Sequence, residues 1–175
     1  MIGDFDFLLR TIVKDPLRGV GDIPLRDIEE TIRSQRSWNA TAMEYPKQRG
    51  LHDLITESAK RHGSRTAVEF GKQKLSYEEL DGRSNQLAAL LLEAGVQVGD
   101  IVGIALDRSH EMLIVLLAIM KSGGVYLPLD PDYPQERVEY MLKDSGAKIL
   151  LTAEKYKDHF QSGAVEIICE TAFSK

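Results

Sequence analysis

The feature that most constrains the fold is an alternation of short apolar runs with helical patterns in the second half of the chain. The apolar runs are residues 101–106, 125–129, 148–152 and 165–169. Helical spacing of apolar residues fills the first two gaps, at 110–122 and 134–145. Strands that are apolar on both sides must be covered on both faces, and strands joined through helices run parallel. The pattern therefore predicts an α/β fold with βαβ units and a mainly parallel sheet.

Residues 51–95 precede this alternation and predict a helix, a hairpin and a second helix. Apolar residues at helical spacing end at Gly63, and Gly71 with its neighbour Lys72 is suited to a tight hairpin turn. Ser76 and Glu79 have the spacing of a capping box, in which each side chain bonds the other residue's amide. The helix opened by that box is expected to run to Gly95.

The first 50 residues have a weaker pattern. Two short helical stretches, the first ended by Pro16, are too little for an independent core and predict a helical N-terminal appendage. Residues 37–50 show neither a strand nor a helix period, which predicts a linker lying on a surface. Trp38 and Tyr45 are its expected apolar anchors.

Composition excludes several classes of protein. The chain has 175 residues, 43% of them hydrophobic, so it can form a core, and its net charge of −5 argues against nucleic acid as a partner. The longest apolar run, residues 113–120, is too short to cross a bilayer. The acidic N-terminus does not resemble a secretion signal, and one cysteine, Cys169, excludes an intramolecular disulfide. These features predict a cytoplasmic protein without membrane partners.

The familiar catalytic signatures are missing from the chain. It has no P-loop, no dinucleotide-binding glycine motif and no nucleophile elbow. Its four histidines are scattered, without metal-ligand spacing. We therefore predict no catalytic, cofactor-binding or metal-binding residue within these 175 positions.

Two local motifs are more specific. They comprise Leu75, Ser76, Tyr77, Glu79 and Leu80 in the first, and Lys121, Gly123, Gly124, Tyr126, Pro128, Asp130, Pro131, Tyr133, Pro134 and Arg137 in the second. Here the chain closely resembles the adenylation domains of nonribosomal peptide synthetases, members of the AMP-binding, acyl-adenylate-forming superfamily. The resemblance continues to Thr152 and implies a partial adenylate-forming fold.

The upstream sequence resembles other parts of the same synthetases. Residues 1–36 are similar to the end of a condensation domain, residues 37–50 to the linker that follows it, and residues 51–175 to the beginning of the adenylation domain. The resemblance implies that the parent domain activates an amino acid with ATP and Mg²⁺. It also implies transfer of the aminoacyl group to phosphopantetheine on a carrier domain, with other synthetase domains as partners.

The motif residues are expected to have structural roles. Lys121 is interpreted as a partner of a helix dipole and Arg137 as an ion-pair or capping residue. Gly123 and Gly124 follow a helix C-terminus, where the dipole repels a phosphate. The leading hypothesis is an incomplete ligase, inactive alone, and the alternative is a non-catalytic scaffold or docking module. Either form is expected to self-associate through exposed apolar surface.

Overall fold

The computed structural model describes residues 2–157, 159–160 and 163–169. It divides into two compact units, Met1–Pro46 and Lys47–Lys175, and each is described by itself. The helices are α1 (Ile2–Lys14), α2 (Ile28–Trp38), α3 (Leu51–His62), α4 (Tyr77–Glu93), α5 (His110–Lys121) and α6 (Gln135–Ser145). The strands are β1 (Thr66–Phe70), β2 (Gln73–Ser76), β3 (Ile101–Ala105), β4 (Val125–Pro128), β5 (Ile149–Thr152) and β6 (Val165–Ile168).

The first unit contains α1 and α2 and, among its described residues, no buried side chain. Phe5 is 64% exposed and Val13 77%, which agrees with the expectation that two short helices cannot form a core. The helix α2 extends through Trp38, so the prediction that regular structure ends before residue 37 is wrong by two residues. Trp38 is 73% exposed and Tyr45 67%, so neither ring is buried within the first unit, and their expected role as anchors of the linker stays a prediction.

The second unit is built on a parallel sheet with the strand order β4-β3-β5-β6. Side chains of β3 and β5 alternate between two core clusters. One cluster contains Leu87 and Leu91 of α4 with Val115 of α5, and the other contains Val138 and Leu142 of α6. Helices therefore cover both faces of the sheet, and the predicted α/β fold with a mainly parallel sheet is confirmed.

The antiparallel hairpin β1-β2 leads directly into α4. Its turn contains Gly71 at φ +60°, a backbone conformation that glycine adopts at no steric cost. Leu75 of β2 joins Leu80, Ile114 and Leu117 in a third core cluster. The hairpin is thereby attached to α4 and α5 through apolar side chains.

The strand β4 forms one edge of the sheet. The amides of Val125 and Leu129 donate to the carbonyls of Asp100 and Ile104 at 2.8 Å, so every second amide along β4 faces β3. Pro128 falls on an outward position, where its missing amide hydrogen costs no ladder bond. Pro128 is therefore compatible with its place on an edge strand. The helical stretch predicted at 134–145 begins one residue later, because Pro134 is the N-cap of α6.

No helix in the described part of the chain is both long enough and apolar enough to cross a membrane.

Candidate functional site

The first sequence motif forms the start of α4. The amide of Glu79 donates to Oγ of Ser76 at 3.2 Å, and the amide of Ser76 donates to Oε2 of Glu79 at 2.8 Å, which confirms the predicted capping box. The bond from the Ser76 amide helps to hold the pKa of Glu79 below its usual range. Leu75 and Leu80 are buried on either side of the cap, and Tyr77 is the first helical residue.

The second motif begins with Lys121, whose ammonium group is bonded to α4. Its Nζ donates to Oδ1 of Asp81 at 2.7 Å, to Oγ of Ser84 at 2.8 Å and to Oδ1 of Asn85 at 2.7 Å. The side chains of Lys121 and Asp81 are 9% and 19% exposed. Asp81 also accepts a 2.7 Å hydrogen bond from Oγ1 of Thr56 in α3. This Lys121 cluster ties α3, α4 and α5 together.

The carboxyl group of Asp81 stays ionised inside the Lys121 cluster. Burial raises its pKa, whereas hydrogen bonds from Lys121 and Thr56 lower it, and the net pKa lies below the ordinary 3.8. The prediction of Lys121 as a helix-dipole partner therefore missed its main interaction, which is an ion pair with a neighbouring helix. A sequence signal for it exists, since Asp81, Ser84 and Asn85 have the i, i+3, i+4 spacing of one polar helix face.

Gly123 and Gly124 lie against packed side chains. A Cβ on Gly123 would lie 2.9 Å from Cγ2 of Val98, and a Cβ on Gly124 would lie 3.1 Å from Cγ2 of Ile119. The amide of Gly123 donates to the carbonyl of Met120, and that of Gly124 to the carbonyl of Ile119. Both glycines therefore meet a packing constraint, and neither amide is free for an anion.

The remainder of the second motif connects β4 to α6. Tyr126 and Pro128 lie on the edge strand. The amide of Asp132 donates to Oδ1 of Asp130 at 3.0 Å, which forms a tight turn around Pro131. One turn later, the guanidinium carbon of Arg137 lies 4.1 Å from the centroid of the Tyr133 ring. This cation–π contact is a different interaction from the predicted ion pair or cap.

A cleft of about 560 Å³ opens at the carboxyl ends of β3 and β4. Its walls include Asp107 and Arg108 from the loop after β3, and Asp130 and Arg137 from the loop and helix after β4. Ligands of open parallel sheets bind outside the carboxyl ends of the strands, so the cleft has the position of a ligand site.

Asp107, on the rim of this cleft, is already engaged. The hydroxyl of Tyr156 donates to its Oδ1 at 2.9 Å, and the ammonium of Lys155 pairs with its Oδ2. The hydrogen bond from Lys155, followed by that from Tyr156, holds the pKa of Asp107 below its usual range. These contacts connect the turn after β5 to the end of β3.

Lys121, Gly123 and Gly124 of the second motif are not available to bind ATP phosphates. A site for ATP phosphates and Mg²⁺ needs free amides or cations for the phosphates and oxygen ligands for the metal. The glycine amides are occupied and the Lys121 ammonium is engaged by α4. Within the described ranges, no group of three or more His, Cys, Asp or Glu side chains is arranged to hold a metal ion.

Comparison with known sequences identifies one matching family model and several similar synthetases. The sequence model described as AMP-binding enzyme matches residues 55–172. Tyrocidine synthase 3 of Brevibacillus parabrevis is 43% identical over 145 residues, which are 83% of this chain and 2% of that protein. Bacitracin synthase 3 of Bacillus licheniformis is 46% identical over 134 residues, which are 77% of this chain and 2% of that protein. The chain thus spans only a few per cent of the length of these curated relatives.

Solved structures are similar over a larger share of their length. The nonribosomal peptide synthetase FmoA3, in its AMPPNP-bound form, has a TM-score of 0.77 and 28% identity, covering 99% of this chain and 19% of that one. The N-terminal subdomain of Klebsiella oxytoca NpsA, in complex with anthranilyl-AMSN, has a TM-score of 0.63 and 30% identity, covering 71% of this chain and 32% of that one. With the family match over more than half of its residues, the chain belongs to the AMP-binding enzymes, and it is similar to the adenylation domains of nonribosomal peptide synthetases.

Proposed function

We propose that residues 51–175 form the N-terminal portion of an adenylation domain whose parent activates an amino acid with ATP and Mg²⁺ to an aminoacyl adenylate. The parent then loads the aminoacyl group onto phosphopantetheine of a carrier domain. The observation that carries the proposal is the family match over residues 55–172. It is supported by relatives named as tyrocidine and bacitracin synthases at 43% and 46% identity.

The chain's own contribution to this activity is structural, and we propose that it is inactive alone. Its motif residues are occupied in holding elements together: Ser76 begins α4, the Lys121 cluster joins three helices, and Arg137 stacks on Tyr133. Phosphate and metal contacts of the parent would come from other parts of the synthetase.

The proposal extends to the upstream residues. Residues 1–36 form the tail of a condensation domain, residues 37–50 the linker, and other synthetase domains are the partners. Exposed apolar side chains such as Phe5 and Val13 support this assignment, since an amphipathic helix without a core needs a surface to cover it. The protein would work in the cytoplasm, where amino acids and ATP are available.

A scaffold or docking module is the second candidate function. It is supported by the apolar side chains exposed in both units, among them Leu25 at 76% and Leu113 at 42%. Where such side chains form a contiguous patch, the patch marks an interaction site or causes self-association. A docking module would bind other synthetase domains without taking part in catalysis.

Amino-acid-dependent exchange of pyrophosphate into ATP tests the leading proposal. The full chain alone is expected to give only background exchange. A chimera, in which the full chain replaces the matching stretch of an adenylation domain of tyrocidine synthase 3, is expected to retain exchange. The same domain with that stretch deleted is the negative control. A folded chimera without exchange would favour the docking module, and exchange by the chain alone would show that a phosphate site was overlooked.

A further inference from the structure

The strand order places a topological switch point between β3 and β5. The chain passes from β3 through α5 to β4 on one side of β3, and then through α6 to β5 on the other side. In open parallel sheets a crevice opens at such a point, outside the carboxyl ends of the strands. Here Asp107 after β3 is bonded to Lys155 and Tyr156 after β5. These contacts bridge the crevice at the switch point itself.

The cleft of about 560 Å³ at the carboxyl ends of β3 and β4 lies next to this bridge and is open. Its volume falls in the range of about 300–1,000 Å³ that is usual for small-molecule sites. Part of its wall is apolar and includes Leu106, Leu129 and Met141. The two leucines are 9% and 3% exposed, so this part of the wall belongs to the core of the second unit. An apolar wall with a few polar groups is the usual composition of a ligand site.

Five charged side chains line the cleft, and most of them are available to a ligand. One of the five, Asp107, is neutralised by Lys155. The other four have no ion-pair partner in the described part of the chain: Arg108, Asp130, Asp132 and Arg137. The carboxylate of Asp130 accepts only a backbone amide, and the guanidinium of Arg137 contacts only the face of a ring. Two cations and two anions therefore line one cleft without pairing.

The balance of these charges decides the kind of ligand. A ligand of one sign would meet two like charges as well as two opposite ones, whereas a ligand with a positive and a negative end can place each end against its opposite. The apolar wall favours a hydrophobic body between the two ends.

We propose that the cleft binds a short peptide with apolar side chains and free, charged termini. The peptide carboxylate pairs with Arg108 and its ammonium group with Asp132, because both side chains lack other partners among the described residues. The apolar side chains pack against Leu129 and Met141. This inference goes beyond the proposed function and does not rest on it, since it uses only charges and packing within the second unit.

Titration of the full chain with leucyl-leucine, followed by saturation-transfer NMR, tests the proposal. Three further probes are compared with it: the N-acetylated dipeptide, which has no ammonium group, the dipeptide amide, which has no carboxylate, and free leucine. The dipeptide is expected to bind saturably, and each of the other three to bind about tenfold more weakly, because each loses a charge-assisted hydrogen bond or part of the apolar body.

Two variants assign the ends of the peptide. Arg108→Gln and Asp132→Asn each remove one charge from an exposed side chain of the cleft. Arg65→Gln and Asp144→Asn make the same chemical changes at exposed positions outside the cleft and are the matched controls. Urea denaturation shows whether each variant remains folded.

The expected pattern is crossed. Arg108→Gln should weaken leucyl-leucine about tenfold and abolish the preference for a free carboxylate, whereas Asp132→Asn should do the same for the ammonium group. Both controls should bind as the unchanged chain does. The absence of saturable binding, equal affinity for the dipeptide and its blocked forms, or full affinity in both cleft variants would overturn the proposal. Free leucine bound as tightly as the dipeptide would also overturn it, because the ligand would then not be a peptide. Pyrophosphate exchange does not enter this test, so its result leaves the proposed function untouched.

Discussion

Replacement of Lys121 by methionine is expected to destabilise the second unit strongly. Methionine keeps most of the aliphatic stem but removes the bonds to Asp81, Ser84 and Asn85. Breaking a buried ion pair from one side costs about 3–5 kcal/mol. Asp81 is 19% exposed and keeps its bond from Thr56, so the remaining carboxylate is partly compensated. We expect a loss of about 2–3 kcal/mol, a large fraction of the roughly 5–15 kcal/mol that stabilises a typical domain.

Urea denaturation followed by far-ultraviolet circular dichroism measures this loss. With a slope of about 1–3 kcal/mol per molar urea, the midpoint should fall by about 0.7–3 M. Lys74→Met is the matched control, because the Lys74–Glu69 pair at 3.3 Å has both side chains more than half exposed and such pairs contribute little. Combination with Asp81→Asn in a double-mutant cycle should give a coupling energy of about 1–3 kcal/mol. A Lys121→Met midpoint equal to that of Lys74→Met, or a coupling near zero, would refute the reasoning.

Three further outcomes are expected in the same denaturation assay. Gly103→Ala should cost about 1–3 kcal/mol, because its Cβ would lie 2.8 Å from Cδ2 of Leu142, whereas Gly82→Ala, with no atom within 4 Å, should be neutral or stabilising by up to about 1 kcal/mol. Ser76→Ala should cost about 0.5–2 kcal/mol through loss of the cap, and Ser76→Thr should retain most of it. Stability should fall as the pH drops below about 4, because the folded-state pKa of Asp81 lies below its ordinary 3.8 and the ionised carboxylate contributes fully to stability only above that value. Asp81→Asn should flatten this part of the pH–stability profile. An unchanged profile would contradict the lowered pKa of Asp81.

Local patterns in the sequence predicted much of the fold. Continuous apolar runs correspond to β3 and β5, whose side chains are almost all buried, because a strand covered on both faces has no polar side to show. The apolar runs at 125–129 and 165–169 coincide with β4 and β6. The start of α4 was predictable to the residue, since a capping box is a contact between positions three apart. The predicted end of α2 was wrong because the helical pattern of apolar residues is weak there. The helix nevertheless continues through Trp38.

The interactions of the motif residues were less predictable. Lys121 and Asp81 are 40 positions apart, and helical periodicity says nothing about which side chains of two different helices meet. The stack of Arg137 on Tyr133 is local, but a basic residue near a helix start fits an ion pair, a cap or a ring contact equally well until the turn geometry is known. The residue types predicted the helices and strands, whereas the side-chain contacts of Lys121 and Arg137 depend on how those helices pack.

The two motifs that reveal the family are joined in space by contacts that a phosphate or metal site would have to break. Lys121 of the second motif is bonded within the helix opened by the first, and its glycine amides close the end of α5. An ammonium with partners at 2.7–2.8 Å on three side chains of α4 cannot also reach a ligand without leaving them unpaired. The packing of α4, α5 and β4 therefore explains why the two motifs contain these residue types. The same packing leaves Leu113 and Tyr126 partly exposed beside an apolar groove.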